Sequence, residues 1–311
     1  MKDLDNTVRE YLQFCALVKK LSTKTIRAYR CDLAQFSRWL TKQSLCFGKE
    51  SLRAYIALLN SSFKASSVKR KMASIRAFAG YLQEYRESPS PLYGLRICIK
   101  EPKRLPKTIA TETLNSLFTR LYAEQSLQGK ANGVRLSLAR DRVIFELLIA
   151  TGIRVSELCA LDVDSLSLSN KTVLIMGKGA KERVVQIENE NTILALTTYL
   201  RIRTEYLLGR AQESNPLLLN RFGGRLSDQS VRNLIRQWAR LAGITTRITP
   251  HMFRHTFATL LLESDVDIRY IQRFLGHSSI KTTEIYTHVT SQKMRHILQT
   301  SNPRACLDVA G

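Results

Sequence analysis

Four side chains in the last quarter of the chain carry chemistry that fits together. His251 and Arg254 lie within Thr249-Pro250-His251-Met252-Phe253-Arg254-His255, His277 within Leu275-Gly276-His277-Ser278, and Tyr286 follows nine residues later. Imidazole and guanidinium groups donate hydrogen bonds to phosphate oxygens, the guanidinium as a planar fork. A phenol is a possible nucleophile, but its free pKa is about 10, so a neighbour must help its proton leave. A phosphodiester under attack gathers negative charge on its non-bridging oxygens. Fixed cationic donors stabilise that charge without a metal ion. Any one of these residues alone reads as a helix cap or a half-buried core side chain. The ordered set, in a strongly basic chain, reads as a site for attack on a phosphodiester.

The elements that must hold these groups are legible around them. Thr249 suits an N-cap and Pro250 the first helical position, so His251 to Leu262 reads as a helix. His251 and Arg254 are three apart and share one face, while Phe253, Phe257, Leu260 and Leu261 face inward. A second helix runs from about Asp267 to Leu275 and stops at Gly276, which puts His277 just past a helix end. Ser278 or Ser279 caps a third short helix carrying Tyr286. Upstream, Leu138 to Thr151 is a strongly apolar run that reads as a buried central helix. After the Gly152 turn, Arg154 opens a new helix, where free amides favour an anion. Glu157, three residues on, is placed to orient it; otherwise the two are a surface pair worth little. The β-branched runs 171–176 and 182–187 flank Gly177-Lys178-Gly179-Ala180-Lys181, a hairpin with a glycine-rich turn. Glycines on either side of Lys178 let the backbone approach a ligand closely.

The totals narrow the partner. The formal net charge is +22 and the pI is near 10.0, an excess that points to a polyanion, ordinarily nucleic acid. It is spread over the chain: 18 basic against 7 acidic residues precede Ile99, and 30 against 19 follow. Apolar residues make up 44%, which excludes wholesale disorder. Cys15, Cys31, Cys46, Cys98, Cys159 and Cys306 form no Cys-x-x-Cys pair and no metal-ligand spacing with histidine. They read mostly as small buried hydrophobes in a reducing compartment. There is no apolar leader, no window long enough to cross a membrane and no phosphate-cradling nucleotide loop. The expectation is a cytoplasmic protein with no membrane association, no metal and no cofactor.

Ahead of the site, residues 7–20, 23–40, 49–60 and 66–82 read as four amphipathic helices, a compact bundle. Lys24, Arg27 and Arg30 line the outer face of the second. Lys64, Lys69, Arg70, Lys71 and Arg76 crowd the start of the fourth, and phosphate contact is the expectation for both groups. Lys100, Lys103 and Arg104 lie in a proline-punctuated basic linker that suits a nucleic-acid backbone. The reading is a helical DNA-binding unit over 1–98, a linker over 99–108 and a second unit over 109–311. In the latter, 111–121, 191–207 and 228–242 are helices and 122–137 is a polar connection. A short helix at 290–300 ends the ordered pattern, with Met294, Ile297 and Leu298 on one apolar side that needs a groove. The fold class is mainly α with a small antiparallel sheet.

The ordered set Arg154, Lys178, His251-x-x-Arg254, His277 and Tyr286 resembles the tyrosine recombinase (integrase) family. The resemblance is carried by Thr151-Gly152-Ile153-Arg154-Val155-Ser156-Glu157-Leu158 and by Gly177-Lys178-Gly179-x-Lys181. It continues through Thr249-Pro250-His251-x-x-Arg254-His255-Thr256-Phe257-Ala258 and Leu275-Gly276-His277-Ser278-Ser279-Ile280-x-Thr282-Thr283-x-x-Tyr286. It covers the whole chain: residues near 7–86 resemble the family's core-binding domain, and those from about 108 its catalytic domain. The resemblance implies a site-specific recombinase that binds inverted half-sites in duplex DNA, as a dimer on one site and a tetramer in the synapse. Tyr286 would form a 3′-phosphotyrosyl link, Arg154, Arg254 and His277 would hold the phosphate, and Lys178 would protonate the leaving 5′-oxygen. His251 would assist proton movement at Tyr286 and Glu157 would support Arg154. It also implies that the 290–300 helix docks on a neighbouring subunit through Met294, Ile297 and Leu298. Integration or excision of a mobile element and resolution of DNA dimers both fit, with or without an accessory protein. The rivals are a type IB-like topoisomerase acting as a monomer and a DNA-binding regulator whose catalytic set is unused.

Overall fold

The computed structural model of the chain describes residues 2–86, 92, 99, 106–123, 131–177, 182–209 and 215–276. It is mainly helical with one small sheet. The chain divides into two compact units, Met1–Lys103 and Arg104–Gly311.

In the first unit, α1 (Lys2–Leu17), α2 (Thr23–Lys42), α3 (Lys49–Ser62) and α4 (Ala65–Tyr85) surround one core. Ser22 starts α2 by accepting the Thr25 amide at 3.2 Å. The stripe read from α2 turns inward at Leu33, Phe36 and Leu40, each at most 2% exposed. Aromatic contacts knit the helices: Tyr11 to Phe78 at 5.3 Å, and both Phe36 and Trp39 to Tyr55 at 4.9 Å between centroids. Helix α1 begins earlier than the 7–20 expectation because Leu4 and Val8 both pack on this core.

A buried carboxylate pins α2 to α4. Asp32, 2% exposed, accepts from Ser74 Oγ at 2.8 Å, from Lys71 Nζ at 3.4 Å and from Arg70. Lys71 therefore departs from the expectation of a phosphate contact. It is 7% exposed, also donates to Gln35 Oε1, and sits 4.9 Å over the Phe63 ring. Its position on the inward face of α4, beside Val68 and Met72, is the physical reason. Lys24, Arg27, Arg30, Lys64, Lys69, Arg70 and Arg76 are exposed, Arg70 with one N–H turned to Asp32. Cys15 and Cys159 are buried as expected, whereas Cys31 and Cys46 face solvent.

The second unit is built on α6 (Asn132–Thr151), with α5 (Thr111–Tyr122) before it and α7 (Val155–Ala160) after. A 3₁₀ turn at Val163–Ser165 leads into β1 (Leu166–Ser167), β2 (Thr172–Met176) and β3 (Glu182–Gln186), an antiparallel sheet in that order. Then come α8 (Glu190–Leu208), α9 (Asp228–Leu241), α10 (Pro250–Glu263) and α11 (Ile268–Leu275). Val143, Ile144, Phe145, Leu147 and Leu148 of α6 are at most 1% exposed, and burying each stabilises the unit by about 1.5–3 kcal/mol. Leu196 and Tyr199 of α8 lie in the same core, and Phe253 of α10 meets Phe145 at 5.7 Å. Two buried acids of α6 are satisfied by neighbours. Glu146 accepts from Tyr122 Oη at 2.8 Å and Thr192 Oγ1 at 2.9 Å, and Asp141 from Trp238 Nε1 at 2.9 Å.

Three details depart from the sequence reading. The stretch read as a connection over 122–137 turns helical at Asn132, because Leu136 reaches the core while Arg135 pairs outward with Glu205. The strand β1 is too short to show alternation. Leu260 of α10 is 38% exposed, so the inward face there is Phe253, Arg254, Thr256 and Ala258. Among the described residues no helix is long and apolar enough to cross a membrane.

Candidate active site

The site starts at the end of α6. Thr151 Oγ1 donates to Leu147 O at 2.6 Å and accepts the Ile153 amide at 3.2 Å, closing the last turn. Gly152 then takes φ +59°, a conformation that favours glycine. Space gives a second reason for glycine: a Cβ there would lie 2.6 Å from Phe257 Cδ1 and 2.9 Å from Leu275 Cδ2. The turn delivers Arg154 to the head of α7.

Glu157 holds Arg154 from two sides. Its Oε2 accepts the Arg154 amide at 3.0 Å, and its Oε1 accepts Arg154 Nη1 at 2.7 Å. The sequence reading placed this pair but missed its third member. Arg183, on β3, donates Nη1 to Oε1 at 3.2 Å and Nη2 to Oε2 at 2.7 Å. Side-chain exposure falls from 35% at Arg154 to 13% at Arg183 and 7% at Glu157, so Arg154 is the member that opens to solvent. Burial alone raises the Glu157 pKa, but the hydrogen bonds from Arg183 and Arg154 outweigh it and hold the carboxyl below its ordinary value. Glu157 is thus the buried centre of a three-group network. The signal for Arg183 was its register: at two-residue spacing it shares the inner side of the strand with Val185 and, just past the strand, Ile187, both buried.

Arg254 ties the Gly152 turn to the end of α11. It is 4% exposed, donating Nη1 to Gly152 O at 2.8 Å and Nη2 to Leu275 O at 2.7 Å. Its charge sits where the carbonyl ends of α6 and α11 concentrate negative potential. The Asp267 side chain caps α11 by accepting the Arg269 amide at 2.8 Å, and the helix stops at Gly276 with φ +63°. The Arg183 side chain fills the space where a Cβ of Gly276 would go, with Cδ 3.1 Å away.

His251 stands one residue past Pro250 at the head of α10 and is exposed, unlike Arg254 one turn on. Thr249 is the N-cap in extended conformation, although its side chain makes no capping bond. Although the residue is exposed, partial loss of water contact, then the charges of Arg254, Arg232 and Arg154, hold the His251 pKa below its ordinary value. His255 is half-buried and shifted the same way by burial, His251 and Arg254. Both shifts favour the neutral imidazole at pH 7.

The structure therefore brings together Arg154, Glu157, His251 and Arg254, and adds Arg183. Lys178, His277 and Tyr286 lie outside the described residues, as do Lys100, Lys103, Arg104, Met294, Ile297 and Leu298. The described flanks are informative: Gly177 ends β2, and Gly276 ends α11 beside Arg183. Among the described residues, no three His, Cys, Asp or Glu side chains are grouped to hold a metal ion. What is grouped is cationic, a set of donors suited to a bound phosphate.

Comparison with known proteins bears on both units. The family profile described as "Phage integrase family" matches residues 118–293, and "Phage integrase, N-terminal SAM-like domain" matches residues 8–85. A tyrosine recombinase of Agathobacter rectalis is 42% identical over 307 residues, covering 98% of this chain and 98% of its own. A tyrosine recombinase XerC of Myxococcus xanthus is 36% identical over 293 residues, covering 92% of this chain and 94% of its own. Among solved structures, the XerH site-specific recombinase bound to difH substrate in a pre-cleavage complex aligns with a TM-score of 0.70. That match covers 94% of this chain and 83% of the other at 22% identity, a likeness of fold.

Proposed function

The chain belongs to the phage integrase family of tyrosine recombinases and is a site-specific DNA recombinase, and we propose that it works through Tyr286 as the nucleophile. In this reading the Tyr286 phenolic oxygen attacks the scissile phosphorus. The bond from phosphorus to the 5′-oxygen breaks, leaving a 3′-phosphotyrosyl link and a free 5′-hydroxyl. His251, neutral at pH 7, takes part in moving the phenolic proton. Lys178 gives a proton to the departing 5′-oxygen. Arg154, Arg254 and His277 hold the non-bridging oxygens as charge builds there. Attack by the partner strand's 5′-hydroxyl on the phosphotyrosine reverses the steps and rejoins the DNA. The covalent link keeps the phosphodiester free energy, so the cycle needs no ATP, and the cationic donors do the work a metal ion would otherwise do.

The observation that carries this reading is the shared turn at Gly152. Its carbonyl is held by Arg254, and Arg154 follows two residues later. Two guanidiniums anchored to one turn suit two oxygens of one phosphate. The substrate is duplex DNA with inverted half-sites, engaged by a dimer on each site and a tetramer in the synapse. The exposed basic residues of α2 and α4 contact phosphate there, and the basic helix faces at 24–30 and 69–76 and α9 are the regions nominated for base readout. The 290–300 helix links subunits through Met294, Ile297 and Leu298, and the protein acts in the cytoplasm.

The test is covalent capture. The full chain is incubated with nicked duplexes that lose the attacking 5′ end after cleavage, and the products are run on a denaturing gel. The expected result is a protease-sensitive shifted band, absent for Tyr286→Phe. Specific DNA binding without any such band would instead support a regulator with an unused catalytic set.

A further inference from the structure

Arg183 makes contacts on three sides that lead into the site. It grips both oxygens of Glu157, which holds Arg154. It pairs across the sheet with Ile175, two residues before Gly177 and three before Lys178. Its side chain lies against Gly276, the residue before His277.

The electrostatics of the cluster give this placement a role. Arginine stays protonated throughout the physiological range. If Glu157 faced Arg154 alone, a buried carboxylate 2.7 Å away would cancel most of the charge that Arg154 could offer a ligand. With Arg183 present, one carboxylate is shared between two guanidiniums, and one positive charge remains in surplus. Exposure decides where that surplus acts: the Arg183 side chain is 13% exposed, while Arg154, at 35%, reaches solvent. Glu157 stays ionised because its pKa is held below the ordinary carboxyl value, so the division of charge persists at neutral pH.

We infer that Arg183 is a positioning residue for strand cleavage: by neutralising Glu157 it leaves Arg154 oriented by the carboxylate yet electrostatically free to bind the scissile phosphate. This rests on the reading that Arg154 binds that phosphate. Arg183 touches no substrate itself; it acts through Glu157. It also pairs with Ile175 across the hairpin and lies against Gly276.

Covalent capture on nicked duplex at saturating protein tests this, with DNA affinity and melting temperature measured in parallel for the full chain. Arg183→Gln should bind DNA as the parent does and lower the single-turnover capture rate by about ten- to a hundredfold, less than loss of a direct phosphate donor. Arg183→Lys keeps the charge with a single N–H contact and should recover most of that loss. The double variant Glu157→Gln/Arg183→Gln restores one surplus positive charge, and it should be captured faster than Arg183→Gln alone. A purely structural role predicts the opposite order, with the double variant no faster than the single, and that result would overturn the inference. So would Arg183→Gln captured at the parental rate while Arg154→Ala is inactive. Parental rates for Arg154→Ala as well would mean that the phosphate-binding reading itself has failed.

Discussion

At the scale of single residues, the site is a set of charges fixed at different depths. Arg254 is enclosed and ties two backbone carbonyls, whereas His251, three residues earlier on the same helix, is exposed. Equal spacing on a helix face did not reveal that difference, because depth depends on what packs against the face. The chemistry of His251 leads to a pH prediction. Its pKa is depressed below the ordinary value of about 6.5, so the neutral imidazole is the major form at pH 7. Capture rates measured from pH 5 to 9 should therefore hold steady through pH 7 and decline only below about 6.5, as His251 gains a proton. His251→Asn should be slower throughout and lose that acid limb. A parental profile already half lost above pH 7 would exclude neutral His251 as the group involved. Gly152 yields a second prediction. Gly152→Ala puts a Cβ into Phe257 at a positive φ, and the strain should cost about 1–3 kcal/mol, read as a lower melting temperature. An unchanged melting temperature would show that Phe257 and Leu275 move aside freely.

Elements are where the sequence was most readable, for reasons visible in their residues. The α2 stripe Leu33, Phe36 and Leu40 keeps helical spacing over two turns, and a real core absorbs it. Pro250 and Gly276 mark a start and a stop that the backbone uses. The start of α6 was hidden, because its first turns carry polar residues whose exposed partners lie far away in sequence, as with Arg135 and Glu205. Lys71 was misread for a related cause. A basic cluster looks uniform until the packing of α2 against α4 turns Arg70 toward Asp32 and draws Lys71 fully inward beside it. This selection is testable. Asp32→Ala strands the buried Lys71 ammonium and should destabilise the first unit by about 3–5 kcal/mol. Hydrogen exchange in α2 and α4 peptides should speed up while α6 stays protected. Equal protection in both variants would mean that Lys71 finds water or another partner at little cost. Arg183 was missed at the same scale: an arginine in step with buried Val185 and Ile187 was a readable anomaly whose partner, Glu157, lies 26 residues away.

For the whole molecule, the relevant quantity is the charge of +22 spread over both units. If that charge meets DNA phosphates along the chain, affinity should fall steeply with salt. Contact with at least six phosphates gives a slope of log K against log salt of about −5 or steeper. A slope shallower than about −2 would contradict extensive backbone contact. Family membership was legible because the motifs occur in order from Thr151 to Tyr286. The distances between the groups were not, since the chain separates Arg154 from Arg254 by 100 residues and only the fold brings both to the Gly152 turn. The central claim concerns one oxygen atom, and one measurement addresses it directly. The captured protein–DNA adduct is digested with protease and nuclease, and the modified peptide is sequenced by tandem mass spectrometry. The account predicts a nucleotide joined through its 3′-phosphate to Tyr286. The same modification on Tyr270, an exposed phenol on α11, or on any residue other than Tyr286, would contradict it.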